Sequence, residues 1–151
     1  MRRGTSRCRL GCDGQSRAAT KAMTQRSLPM RENPVVAVID DDSAVCNSLK
    51  FSLELEGFTV RTYDSGWALL RAGDLDGCDC FVIDQKMPGL SGLETIATLR
   101  SRSFLAPAIL IISQPSAALS AWAAAANVPI VEKPFLGNAL VERIREACEA
   151  Y

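Results

Sequence analysis

Asp84 closes an apolar run, Phe81-Val82-Ile83, and is followed at once by Gln85-Lys86-Met87-Pro88-Gly89. That order places a carboxylate at the carboxyl end of a buried strand, on the rim where open parallel sheets bind ligands. An aspartate there can be a nucleophile, a metal ligand or a turn former. Three other apolar runs end in polar groups: Asp40, Asp41 and Asp42 after Val35–Ile39, Ser113 after Ala108–Ile112, and Lys133 close behind Pro129-Ile130-Val131. Crowded carboxylates repel one another, and a bound cation relieves that repulsion. Oxygen-only ligands favour Mg²⁺, which bridges one or two carboxylates to a phosphoryl oxygen. A lysine and a hydroxyl beside it complete a clamp for the charge spread over a transferring phosphoryl group. One carboxylate then becomes the nucleophile and forms an aspartyl phosphate.

Each residue also has a plainer role. Asp42 or Ser43 suits a helix N-cap, Ser113 can end a turn, and Lys133 can be a solvated charge. What favours the chemical reading is that all of them fall at strand ends, which in a parallel sheet share one rim.

The elements that must position these residues follow from periodicity. Val35–Ile39 and Ala108–Ile112 are continuous apolar runs, the pattern of strands buried on both faces. Further strands are expected over 58–62, 79–83 and 129–131, the last with its proline at an edge or a first position. Helices are expected over 43–56, with Val45, Leu49 and Leu53 on one side and Gly57 as stop, and over 65–72. Ser91 with Glu94 forms a capping box for a helix that ends near Arg102. The alanine-rich stretch 116–126 is a strong helix former closed by Asn127, and the last helix turns Leu140, Val141, Ile144, Ala147 and Cys148 inward. Five strands alternating with five helices predict an α/β fold, a doubly wound parallel sheet with helices on both faces and right-handed crossovers.

Composition narrows the classes. A chain of 151 residues with 48% hydrophobic content supports one domain with an ordinary core. Charge balances at 17 against 17, yet residues 1–31 carry eight basic and one acidic residue, leaving nine basic and sixteen acidic in the rest. The arm 1–33 reads as a disordered basic extension, and 34–151 as the folded domain. An acidic domain argues against nucleic acid as the main partner. No stretch reaches the length of a membrane span, and no apolar region follows Arg2 and Arg3, so a cytoplasmic location is expected. Reduced thiols follow from that location. Cys8, Cys12, Cys46, Cys78, Cys80 and Cys148 show no zinc-ligand spacing, and the chain has no histidine. Cys46, Cys80 and Cys148 read as small buried apolar residues.

Taken together, Asp40-Asp41, Asp84 with Met87-Pro88-Gly89 and Ser91-Gly92, Ser113, and Lys133-Pro134-Phe135 resemble the receiver domain of two-component response regulators, over residues 35 to about 150. The resemblance implies a flavodoxin-like (βα)5 fold. It implies that Asp84 takes a phosphoryl group from a histidine kinase or histidine phosphotransfer protein. It also implies Mg²⁺ held by Asp40, Asp41, Asp84 and the backbone carbonyl of Lys86. Ser113 would hydrogen-bond the phosphoryl group and Lys133 would pair with it. Apart from this self-phosphorylation and self-dephosphorylation chemistry, the resemblance implies no enzyme.

The chain departs from the family in Gln114, where a small residue is usual, in a short segment before Lys133, and in Ile130, where many receivers carry Tyr or Phe. Those departures leave room for a degenerate receiver acting as a binding module. A haloacid-dehalogenase-type phosphatase, with Asp40 as nucleophile and Asp42 as acid–base, fits Val38–Asp42 but leaves Asp84 and its Met-Pro-Gly turn unexplained. Eighteen residues follow Lys133, which predicts one helix, no output domain and signalling by docking to another protein.

Overall fold

The computed structural model describes residues 32–135 and 138–151, so the basic arm lies almost wholly outside the described residues, with Cys8 and Cys12. Five strands form one parallel sheet: β1 (Val35–Ile39), β2 (Thr59–Tyr63), β3 (Cys80–Asp84), β4 (Ala108–Ile112) and β5 (Ile130–Glu132). Their order is β2-β1-β3-β4-β5. Five helices alternate with them: α1 (Ser43–Leu55), α2 (Gly66–Arg71), α3 (Gly92–Ser101), α4 (Ala117–Ala125) and α5 (Ala139–Ala150), with a short 3₁₀ turn over Leu75–Gly77. This is the doubly wound, flavodoxin-like arrangement expected from the alternation of elements.

The continuous apolar runs are explained by burial on both faces, since every residue of β1, β3 and β4 is buried. Alternate residues feed two separate layers. Val36, Val38, Val82, Ile109 and Ile111 point to one side, where α1 offers Cys46, Leu49 and Leu53 and α5 offers Leu140 and Ile144. Ala37, Ile39, Phe81, Ile83 and Leu110 point to the other, against Leu69 and Leu70 of α2, Ile96 and Leu99 of α3 and Ala123 of α4. Each fully buried Leu or Ile contributes roughly 2 kcal/mol relative to exposure. These layers hold the strands in register, and the register aligns their carboxyl ends.

Boundaries moved by a residue where a strand meets a turn. Asp84 is the last residue of β3 rather than the first beyond it, and Pro129 precedes β5, its carbonyl accepting from Leu110 N at 2.9 Å. β5 is an edge strand, a setting that tolerates a nearby proline.

The expected helix stops are present. Gly57 and Asn127 both have positive φ, at 97° and 58°, and Phe58 N and Val128 N reach back to the carbonyls of Leu53 and Ala123. Helix α3 ends the same way on Ser103, φ 68°. Serine carries no signal for that conformation, and the sequence does not announce it.

Candidate functional site

Strand β1 has β2 on one side and β3 on the other, so the crossovers leaving β1 and β3 open a crevice at their carboxyl ends. Asp40 follows β1 directly and is 1% exposed; Asp84 ends β3 and is 5% exposed. Lys133, just past β5, reaches both: its Nζ lies 3.2 Å from Asp40 Oδ2 and 3.1 Å from Asp84 Oδ1. The other oxygen of Asp40 accepts a hydrogen bond from Asp42 N at 2.9 Å. Carboxylate oxygens of Asp40, Asp41 and Asp84 all lie within 4.8 Å of one another, with Asp41 exposed at the mouth. Formal charges of three carboxylates and one ammonium leave this cluster at minus two. An all-oxygen donor set with that net charge suits one hard divalent cation.

Asp42 has a different job. Its side chain accepts from Ala44 N at 2.9 Å and caps α1, so it turns away from the cluster's chemistry. Ser113 follows β4 immediately. Gln85 N donates to Ile111 O and Lys133 N to Ile112 O, both at 2.9 Å, which fixes the end of β4 between Asp84 and Lys133. Ser113 and Lys86 therefore stand on the same rim, both exposed, but outside the carboxylate cluster itself.

Burial pushes the Asp84 carboxyl up from its ordinary value; the hydrogen bond from Lys133 opposes this, and the charges of Asp40 and Asp41 reinforce it. Burial alone would pull Lys133 down, yet its bonds to Asp84 and Asp40 outweigh that and hold it above the ordinary lysine value. The lysine stays charged, and Asp84 is a carboxylate with an energetic reason to gain a positive neighbour.

Supporting contacts come from residues with no chemistry to advertise. The Ser91–Glu94 capping box is present. Gln85 Oε1 accepts from Leu93 N at 3.0 Å, tying the residue after Asp84 to the start of α3. A Cβ on Gly92 would come within 2.8 Å of the Asp84 carbonyl oxygen and 2.6 Å of Leu110 Cδ1. Only glycine lets α3 start so close to the strand end, a reason invisible in the motif itself. Cys46 Sγ donates to the Asp40 carbonyl at 3.3 Å. Cys46 is buried as expected, and burial, then the charge of Asp40, pushes its thiol up.

A family model described as the response regulator receiver domain matches residues 36–145. The chain belongs to this family. Among curated relatives, the transcriptional regulatory protein FixJ of Azorhizobium caulinodans is 37% identical over 117 residues, which are 77% of this chain and 56% of that protein. The transcriptional regulatory protein PrrA of Mycobacterium tuberculosis is 34% identical over 115 residues, 75% of this chain and 49% of PrrA. The chain thus spans about half the length of these relatives. Among solved structures, FixJ-N superposes with a TM-score of 0.71 at 30% identity, covering 79% of this chain and 96% of FixJ-N. The receiver domain of the Francisella response regulator 1452 gives 0.72 at 25% identity, covering 78% and 98%. Membership of the receiver family, with Asp42 spent as a cap, displaces the phosphatase alternative. Among the described residues, no helix is long and apolar enough to cross a membrane.

The raised Asp84 carboxyl has a consequence for stability. A carboxyl held above its unfolded value adds stability that is fully present below the unfolded value, near 3.9, and is lost as pH rises through the folded one. In metal-free buffer at pH 7, Asp84→Asn should therefore raise the urea unfolding midpoint. The gain should shrink as pH falls towards about 4. A variant less stable than the parent at pH 7 would contradict this account of the site.

Proposed function

We propose that this receiver accepts a phosphoryl group on Asp84 from a histidine kinase or histidine phosphotransfer protein, in the cytoplasm, and signals by docking to a downstream protein. The observation that carries the proposal is the pairing of Asp84, nearly sealed at the end of the central strand, with Lys133 at 3.1 Å and two further carboxylates at hand. An Asp84 carboxylate oxygen attacks phosphorus, the new O–P bond forms, and the bond from phosphorus to the donor breaks. Lys133 supplies a charge for the oxygens of the arriving group, and Ser113, on the same rim, a hydroxyl donor.

Asp40, Asp41, Asp84 and the backbone carbonyl of Lys86 would hold Mg²⁺. When bound, that ion screens the carboxylates from one another and draws charge from the phosphoryl oxygens. The excess of acidic over basic residues in 32–151 supports a protein partner rather than nucleic acid. Beyond this self-directed phosphoryl chemistry the reading assigns no enzyme activity.

Incubating the chain with Mg²⁺ and a small-molecule phosphodonor, followed by intact-mass measurement, tests the proposal. The parent should gain one phosphate and Asp84→Asn none. Persistent labelling of that variant would overturn the assignment, and labelling at Asp40 would return the phosphatase reading.

The response to phosphorylation should be small. Ile130 is half-buried, pairs with Leu110 and packs against the layer under α4. A β-branched aliphatic has few rotamer choices and no ring to swing between solvent and core. Gln114, beside Ser113, is large enough to crowd the phosphoryl group. We expect phosphorylation to favour a partner complex by about 1 kcal/mol, the low end of allosteric coupling. Backbone NMR with and without a phosphoryl mimic checks this: shifts over 113–135 should be modest, and large ones would show full switching without the aromatic residue.

A further inference from the structure

The turn between β3 and α3 carries Lys86, whose carbonyl is a ligand of the cation in the function proposed above, and the present inference rests on that reading. Gln85, just before it, is fixed on three counts. Its N–H donates to Ile111 O at 2.9 Å, its carbonyl accepts from Gly92 N at 3.1 Å, and its side-chain oxygen accepts from Leu93 N at 3.0 Å. Beyond Gln85 the bonding stops. Among the described residues, no backbone N–H or carbonyl of residues 86–90 makes a hydrogen bond. Packing must therefore place this stretch. Met87 is buried and Leu90 half-buried, both in the apolar layer that holds α2 and α3, so they pin its two ends. Gly89 between them has φ 83° and no side chain to anchor it.

Trp67, the second residue of α2, faces that glycine. A Cβ on Gly89 would lie 3.6 Å from both Cδ1 and Nε1 of the indole, an ordinary van der Waals separation. The ring is 48% exposed and stands outside both apolar layers, so core burial does not account for it. Its backbone is held firmly all the same. A Cβ on the neighbouring Gly66 would collide with Thr95 Oγ1 and come within 3.2 Å of Leu90 Cβ. Thr95 is buried, and its hydroxyl donates to Ser91 O at 2.8 Å. Ser65 caps α2 by accepting from Ala68 N at 3.0 Å, and Arg102 Nη1 donates to Leu70 O at 3.0 Å. The first turn of α2 thus meets the β3–α3 turn twice, at Leu90 through Gly66 and at Gly89 through Trp67.

We infer that Trp67 is a positioning residue for the phosphoryl reaction: its indole, held by α2, backs the turn at Gly89 and keeps the Lys86 carbonyl ordered before a cation arrives. Trp67 touches no reacting atom and acts only through the backbone between Gly89 and Lys86. Met87 and Leu90 fix the ends of the stretch, and the ring limits its middle. A ligand ordered in advance binds more tightly, because less freedom is lost on binding.

The test compares the full chain with Trp67→Ala and Trp67→Phe. Order parameters of the backbone amides of Lys86, Met87, Gly89 and Leu90 are measured by NMR without metal, and Mg²⁺ affinity by calorimetry. In Trp67→Ala the order parameters should fall from the rigid range, about 0.85, towards about 0.6. Mg²⁺ affinity should drop about tenfold, the low end for groups that orient a metal ligand. The urea midpoint should stay at the parent's value, since the ring is half-exposed and alanine suits a helix. Trp67→Phe, which keeps an aromatic face, should recover most of both losses. Unchanged order parameters or unchanged affinity in Trp67→Ala overturns the inference, and so does a Phe variant no better than Ala. A urea midpoint that falls in step with the affinity would make the ring a support of the whole fold and overturn it too. A parent that binds no Mg²⁺ would sink the reading of the rim and this inference with it. Order parameters that still fall in Trp67→Ala would then mark the failure as the rim's, because they are taken without metal.

Discussion

Lys133 holds together carboxylates delivered by two different strands. Its ammonium lies 3.2 Å from Asp40 and 3.1 Å from Asp84, and both aspartates are almost closed to water. A buried charge without a partner is costly, and removing the lysine, which would leave both carboxylates uncompensated, would typically cost about 3–5 kcal/mol. Lys133 itself keeps 23% of its side chain exposed, so the cost here falls at or below the lower end of that range. The lysine satisfies two carboxylates but leaves Asp41 and a net negative charge at the mouth. That remaining imbalance gives the rim its reason to take a cation and to welcome a group whose oxygens the lysine can share.

The fold exists, in this sense, to bring three chain segments to one place. Lys133 is far from Asp40 in sequence, and only the order β2-β1-β3-β4-β5 puts β1, β3 and β5 on one rim. Two apolar layers hold the strands in register. Gly92 and Gln85 then press the start of α3 against the end of β3, so Asp84 sits on a strand end fixed from behind. The carboxylate cluster thus sits at one end of β3, while the residue just before its other end, Asp79, accepts from Cys148 Sγ of α5 at 4.0 Å.

Much of this was legible in the residues alone, for a physical reason. Strands buried on both faces must be continuous apolar runs, and a polar group that ends such a run has to lie at the rim, so Asp84, Asp40 and Lys133 could be found without coordinates. Asp42 was separable from its neighbours because a cap has its own position and partner. Less legible were features set by packing. Ser103 takes the left-handed conformation that glycine or asparagine normally signals. Gly92 could be placed in a motif, but the carbonyl it makes room for could not be named. Cys80 and Cys148 were readable as small apolar residues, and both belong to the layer between the sheet and α5. The division of receiver and arm at 33/34 remains a reading of composition, since residues 1–31 lie outside the described residues.

The central claim is that the rim binds one divalent cation, and a Mg²⁺ titration followed by backbone amide NMR tests it most directly. The account predicts saturable shifts concentrated at Asp40–Asp42 and Asp84–Met87, strongly weakened in Asp41→Ala. Unsaturable or absent shifts, or an Asp41→Ala variant that binds Mg²⁺ as well as the parent, would contradict it.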